Sequence, residues 1–151
     1  VSELVESVEV AAPAGTVWLA LTDWERQGEW MLGTHVRVTE GNGRSVGTRL
    51  EAVTGPVSGV GVSDPMEITA WEPPVRCTVR HLGTFVRGTG SFHVHPRGAH
   101  RAVLVWSERL DLPFGPVGRL GWPVAKLPLA LGLKVSLRRF ATFAETYEVG
   151  A

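Results

Sequence analysis

The stretch 129–147, LALGLKVSLRRFATFAETY, places Leu129, Leu133, Leu137, Phe140, Ala144 and Tyr147 near i, i+4, i+7 spacing, and Leu131, Val135 and Phe143 widen the stripe. That spacing predicts a helix of about 19 residues, roughly 28 Å long. Arg138 and Arg139 lie beside the stripe, so one face is to be buried and another solvated. The preceding segment 114–126 carries Pro116, Pro123 and three glycines and reads as an irregular or short helical approach.

The apolar face of this helix needs a partner, and the sequence upstream supplies a sheet. From residue 35 to residue 110 the hydrophobic period is two, with strands expected at 35–40, 48–53, 65–71, 76–82, 85–95 and 101–110. Their joints are short: Gly41-Asn42-Gly43, Gly55-Pro56, Glu72-Pro73-Pro74, Gly83-Thr84 and Pro96-Arg97-Gly98. Such joints imply antiparallel neighbours, because a parallel crossover needs a dozen or more residues. A further strand at 3–11 alternates Leu4, Glu6, Val8 and Val10 against Glu3, Val5, Ser7 and Glu9. Pro13 then suits a first helical turn, followed by Val17, Leu21 and Trp24 at helical spacing, and 23–30 continues as a second short helical stretch before Gly33. The expected fold is α+β: seven antiparallel strands, two short helices after the first strand and one long helix at the end, in a single domain over 1–151.

Composition removes several function classes. The 151 residues carry 15 basic and 15 acidic side chains, which leaves no global attraction to nucleic acid. The lone Cys77 excludes an intramolecular disulfide and a cysteine zinc site. Arginine dominates the basic set beside much Ala, Gly, Val and Pro, a GC-rich codon bias. The acidic, alternating start lacks the basic and apolar regions of a secretory signal, so the expected location is cytoplasmic. The apolar run 122–135 is interrupted and too short for stable insertion in a membrane. Gly41 to Gly47 sits between strands and opens no helix, so it reads as a hairpin turn and not as a phosphate cradle.

The residues 13–23, PAGTVWLALTD, followed by Glu29-Trp30, resemble the amino-terminal signature of the START-like superfamily in its polyketide cyclase/dehydrase and lipid-transport branch. Ile68-Thr69-Ala70-Trp71-Glu72-Pro73-Pro74 is similar to that family's strand and Pro-Pro turn, and Phe92-His93-Val94-His95-Pro96 with Gly98 to its later hairpin. The resemblance implies a helix-grip fold, in which a curved seven-stranded sheet wraps the last helix and leaves a cavity. A helix about 10 Å wide cannot fill the concave face of such a sheet, so large side chains or a ligand must. Six tryptophans suit a cavity wall, since indole offers apolar area and one N–H donor.

On 102–110 one parity holds Leu104, Trp106, Glu108 and Leu110. The resemblance turns Trp106 inward and carries Glu108 with it, where burial disfavours the charge and calls for a proton or an arginine partner. The competing reading leaves Glu108 solvated at the strand end. Alternation leaves the parity of Trp71 and Thr69 open against Met66, Ile68 and Ala70, and the resemblance favours Trp71 inward. Trp30 and Trp71 serve either as core plugs or as ligand wall. Phe92, Leu133, Leu137 and Phe140 complete the expected binding set. His93 and His95 share a strand face with His100 near, yet that parity opposes Gly90, Phe92 and Val94, so they face outward and no metal or other cofactor is expected. Arg76, Arg80 and Arg87 read as a solvated outer face.

The function expected first is binding or transport of a hydrophobic small molecule, lipid or polyketide-like, between sheet and helix. The second is aromatase/cyclase activity on a polyketide; relatives of that kind carry an inward arginine before the Pro turn, where this chain has Thr69-Ala70-Trp71. A third rests on 113–118 and 136–144, which look similar to an actinobacterial branch labelled as toxins of toxin-antitoxin pairs and imply a protein partner. A homodimer is also open. Exposure of 122–133 separates the readings: a contiguous apolar patch favours a partner or a membrane surface, and burial favours a closed pocket.

Overall fold

The computed structural model describes residues 2–57, 60–83, 87–111 and 115–149. Seven strands, β1 Ser2–Val10, β2 Thr34–Glu40, β3 Arg49–Val57, β4 Val60–Glu72, β5 Arg76–Leu82, β6 Arg87–Pro96 and β7 Ala102–Leu110, form one antiparallel sheet in the order β1-β7-β6-β5-β4-β3-β2. Between β1 and β2 lie helix α1, Ala14–Leu21, and a 3-10 helix, Trp24–Glu29. Helix α2, Gly115–Glu145, closes the chain. This is the α+β helix-grip arrangement expected from the sequence.

Period-two patterning explains which face is buried. On β7 Ala102, Leu104 and Trp106 are buried, on β6 Gly90, Phe92 and Val94, on β5 Cys77, Val79 and His81. They pack with Trp30 and the α2 residues Leu137, Phe140 and Ala144 into one core. Register shifts between Val38 and Glu40, Thr54 and Val57, and Ile68 and Ala70 bend the β2–β5 half of the sheet.

Three expectations are corrected. Residues 55–57 and 60–64, read as a joint and its flank, are strand: β3 and β4 continue pairing to Val57↔Val60. Pro56 is accommodated because it falls inside the register shift, where no ladder N–H is required. The joint at Gly83-Thr84 and the start of the strand at Phe85 lie largely outside the described residues. The last helix begins at Gly115 and spans 31 residues, about 46 Å, not 19. Pro123 and Pro128 are both inside it and exposed, each removing one N–H bond while keeping a helical φ. Thr69 points outward, because the shift between Ile68 and Ala70 makes it the extra residue of a bulge. It is exposed, and its hydroxyl donates to the Thr78 carbonyl at 3.4 Å.

Candidate functional site

The same bulge resets the parity of β4 so that Ile68 and Trp71, opposite Val79 and Cys77, both face inward. On the other side of it Asp64 and Met66 also face in, Met66 directly opposite His81 of β5. β6 then separates His81 from Glu108 of β7: Gly88 is the register partner of His81, and Gly90 the partner of Glu108. With strands about 4.8 Å apart, two long side chains meet across a third strand only if that strand presents nothing between them. Gly90 meets this condition, since a Cβ there would sit 2.8 and 2.9 Å from the Glu108 carboxylate oxygens.

The result is a polar row with His81 buried at its centre and a partly buried carboxylate on each side. His81 Nδ1 lies 3.0 Å from both Asp64 oxygens, and its Nε2 lies 2.9 Å from Glu108 Oε2. Trp106 Nε1–H donates to the other Glu108 oxygen at 3.0 Å. The His81 side chain is 5% exposed, those of Asp64 and Glu108 17% and 16%. Burial opposes a charge on His81, but hydrogen bonds and attraction from Asp64 and Glu108 outweigh it and raise its pKa to about 10. His81 is therefore an imidazolium with both N–H groups engaged. Glu108 is paired with a histidine and a tryptophan, a correction to the expected arginine partner or solvated end.

Two cavities adjoin this row. An inner chamber of about 140 Å³ lies among Trp24, Gln27, Leu50, Val79 and Phe92. An outer chamber of about 420 Å³ opens among Leu4, Leu32, Leu110 and the α2 residues Pro128, Leu129, Gly132, Leu133 and Ser136. Met31, Thr34, Thr54, Asp64, His81, Trp106 and Glu108 belong to both walls. The outer volume falls within the range of small-molecule sites. The mouth is braced where the Leu32 N–H donates to Ser136 Oγ at 3.1 Å, tying the 31–33 loop to α2.

Of the residues expected to bind, the structure brings Phe92, Trp106, Glu108, Leu110 and Leu133 to these walls. Trp30, Leu104, Leu137 and Phe140 are fully buried behind them, with Trp30 edge-on to Trp106 at 5.9 Å and to Phe140 at 4.8 Å. Among the described residues the Trp30 indole N–H has no hydrogen-bond partner. Trp71 is half-buried against Trp18, 5.1 Å between ring centres, and lines neither chamber. Thr69 stands on the opposite face. Asp64, Thr34, Thr54, Met31 and Ser136 were not foreseen, nor was His81 as a cavity residue; the legible signal was Gly90, a glycine on the inward parity of β6.

The remaining candidates sit elsewhere. His93 and His95 stack 6.1 Å apart, His95 exposed, and among the described residues no group of three or more His, Cys, Asp or Glu could hold a metal. Burial pushes the Cys77 thiol up to about 12, which leaves it unreactive. Arg76 and Arg80 pair with Glu72 and Glu67. On the first half of α2 Val117, Leu120, Val124, Leu127 and Leu131 are 64–81% exposed, an apolar face next to the cavity mouth, and over 122–133 such exposure favours a partner or a membrane surface over a closed pocket. No helix among the described residues is long and apolar enough to cross a membrane.

The sequence family described as polyketide cyclase/dehydrase and lipid transport matches residues 2–145. No curated protein matches the chain in sequence. Among solved structures, the Zhui aromatase/cyclase from Streptomyces sp. R1128 is 18% identical, with 99% of this chain and 98% of that one covered and a TM-score of 0.79. The protein TTHA0849 from Thermus thermophilus is 16% identical, with 95% and 97% covered and a TM-score of 0.78. Norcoclaurine synthase from Thalictrum flavum is 14% identical, with 97% and 95% covered and a TM-score of 0.70. At these identities the likeness is one of fold.

Proposed function

The chain belongs to the polyketide cyclase/dehydrase and lipid transport family, and from that premise we propose that it binds a hydrophobic small molecule, polyketide-like or lipid-like, between the sheet and α2. One observation carries the reading: a chamber of about 420 Å³ with largely apolar walls meets a single polar row, Asp64, His81 and Glu108. Apolar walls supply affinity by burying ligand area at about 25 cal/mol per Å², and a few placed polar groups supply orientation. Phe92, Trp106, Leu110 and Leu133 would form the apolar wall, and Glu108 with Asp64 would fix a polar group. The similar fold of an aromatase/cyclase supports a polyketide-like occupant in preference to a simple acyl chain. Native mass spectrometry of protein purified from its own host tests this: a retained small molecule is expected, and its absence together with a failure to bind added aromatic probes counts against the reading.

Catalysis is the second reading, favoured by the same row. Two partly buried carboxylates held by one buried imidazolium can accept a proton from an enolisable chain placed in the outer chamber, while the cavity orients that chain. His81 itself, engaged on both nitrogens, is unsuited to act as the base at neutral pH. Cyclised product from a supplied poly-β-ketone, lost in Asp64→Asn and Glu108→Gln, would support catalysis over carriage. A protein-partner role draws on the exposed apolar side chains of 117–131 and predicts a concentration-dependent mass in light scattering.

A further inference from the structure

Resting on that binding role, we infer that the ligand presents hydrogen-bond donors, hydroxyl, enol or ammonium, to the Asp64–Glu108 row, and that molecules whose only polar group is a carboxylate or an isolated ketone are disfavoured there.

The argument is a count of protons. Carboxylates on both sides of His81 occupy both of its N–H groups, at 3.0 Å to Asp64 and 2.9 Å to Glu108. The Trp106 indole N–H is occupied by Glu108 at 3.0 Å. Thr34 donates its hydroxyl to the Leu32 carbonyl at 3.1 Å, so in the 3.0 Å contact between Thr34 and Thr54 the donor must be Thr54. Every donor on the wall common to the two chambers is thus committed inside the protein. An ionised carboxylate accepts about four hydrogen bonds, so Asp64 and Glu108, which line both chambers, keep unused lone pairs. The row offers acceptors and no donor.

Charge points the same way. Two carboxylates and one imidazolium sum to minus one, and among the described residues no lysine or arginine lines either chamber. A ligand carboxylate would bring a second uncompensated negative charge to the same apolar enclosure, where like charges repel with little screening. A ketone oxygen would face lone pairs. A phenol or enol hydroxyl satisfies the row without adding charge, and an ammonium neutralises it. Elsewhere in the walls the polar groups are neutral, the Gln27 amide in the inner chamber and the Ser136 hydroxyl at the mouth.

Four naphthalenes of one shape and different heads test the inference by calorimetric titration of the whole protein at pH 7: 2-naphthol, 2-naphthylmethylammonium, 2-acetonaphthone and 2-naphthoate. The first two are expected to bind at least tenfold tighter than the last two, and the ratio between the first two tells hydroxyl from ammonium preference. Naphthoate or acetonaphthone binding as tightly as naphthol overturns the inference. Glu108→Gln, which puts an amide donor into the row, is expected to shift the naphthol-to-acetonaphthone ratio at least fivefold toward the ketone; an unchanged ratio also counts against it. Should none of the four bind, the molecule retained by host-purified protein decides. One with only a carboxylate or ketone head overturns the donor requirement while the binding role stands; one with hydroxyl or ammonium donors supports it; no retained molecule removes both.

Discussion

Replacing His81 by Leu removes the single cation between two carboxylates whose side chains are only 17% and 16% exposed. Breaking a buried ionic set by deleting one partner costs about 3–5 kcal/mol, because the partners left behind remain desolvated and uncompensated. For a domain of this length about 2–4 °C of melting temperature accompanies each kcal/mol, so His81→Leu is expected to melt roughly 6–20 °C below the parent. The triple change Asp64→Leu/His81→Leu/Glu108→Leu removes every charge of the row, and the adjoining chambers give the larger side chains room. It is expected to regain the parent's stability or exceed it by about 1–4 kcal/mol, the usual outcome when a buried ionic set gives way to apolar packing. It is also expected to lose 2-naphthol binding, which would identify the row as a feature kept for the ligand at a cost to the fold. Thermal and urea unfolding of the three proteins provides the measurement. A single variant within about 1 kcal/mol of the parent, or a triple variant no more stable than the single one, would refute the reasoning.

Other outcomes follow from the same geometry. The raised His81 pKa, about 10 against an ordinary 6.5, means the native state holds one proton more than the unfolded chain between those values. The clamp's contribution is therefore full below about pH 6.5 and falls by up to about 1.4 kcal/mol per pH unit as pH rises toward 10. The stability difference between parent and His81→Leu should shrink from pH 7 to pH 9.5 in urea titrations, and a constant difference contradicts the assignment. Gly90→Ala places a Cβ 2.8 Å from a Glu108 oxygen, so Glu108 must move. A cost of about 1–3 kcal/mol, at least fivefold weaker 2-naphthol binding and a lower His81 pKa by NMR titration are expected. Trp71→Ala removes the ring packed on Trp18 away from both chambers, and should destabilise by about 2–3 kcal/mol with 2-naphthol affinity unchanged within twofold. A large loss of affinity there would return Trp71 to the ligand wall.

Much of the fold was written in local pattern, and most of the site was not. The stripe from Leu129 to Tyr147 revealed the half of α2 that buries Leu137, Phe140 and Ala144. Its first half has an apolar stripe of its own, Val117, Leu120, Val124, Leu127 and Leu131 at helical spacing, but Pro116, Pro123, Pro128 and the glycines among them read as helix breakers, so the sequence there points to an irregular approach. Strand parity was legible where pairing is regular, as for Phe92 and Val94, and failed at Thr69, where one extra residue exchanges the two faces. The site depends on long-range register. His81 stands 17 residues from Asp64 and 27 from Glu108, and their meeting requires three strands on either side of a glycine. A histidine in an apolar strand gives no local sign of its partners, and only the glycine at 90 marks the place where long side chains converge.

Indole N–H signals in nitrogen-15 spectra test the central claim directly, because the tryptophans sample different depths of the molecule. Trp24 and Trp106 line the chambers, whereas Trp18 and Trp71 pack on each other away from them. On titration with 2-naphthol the Trp24 and Trp106 signals, assigned by single substitutions, are expected to move and saturate together while those of Trp18 and Trp71 stay in place. Saturating shifts confined to Trp18, Trp71 or Trp122, or no shift at Trp106 at millimolar probe, would contradict a ligand site between the sheet and α2.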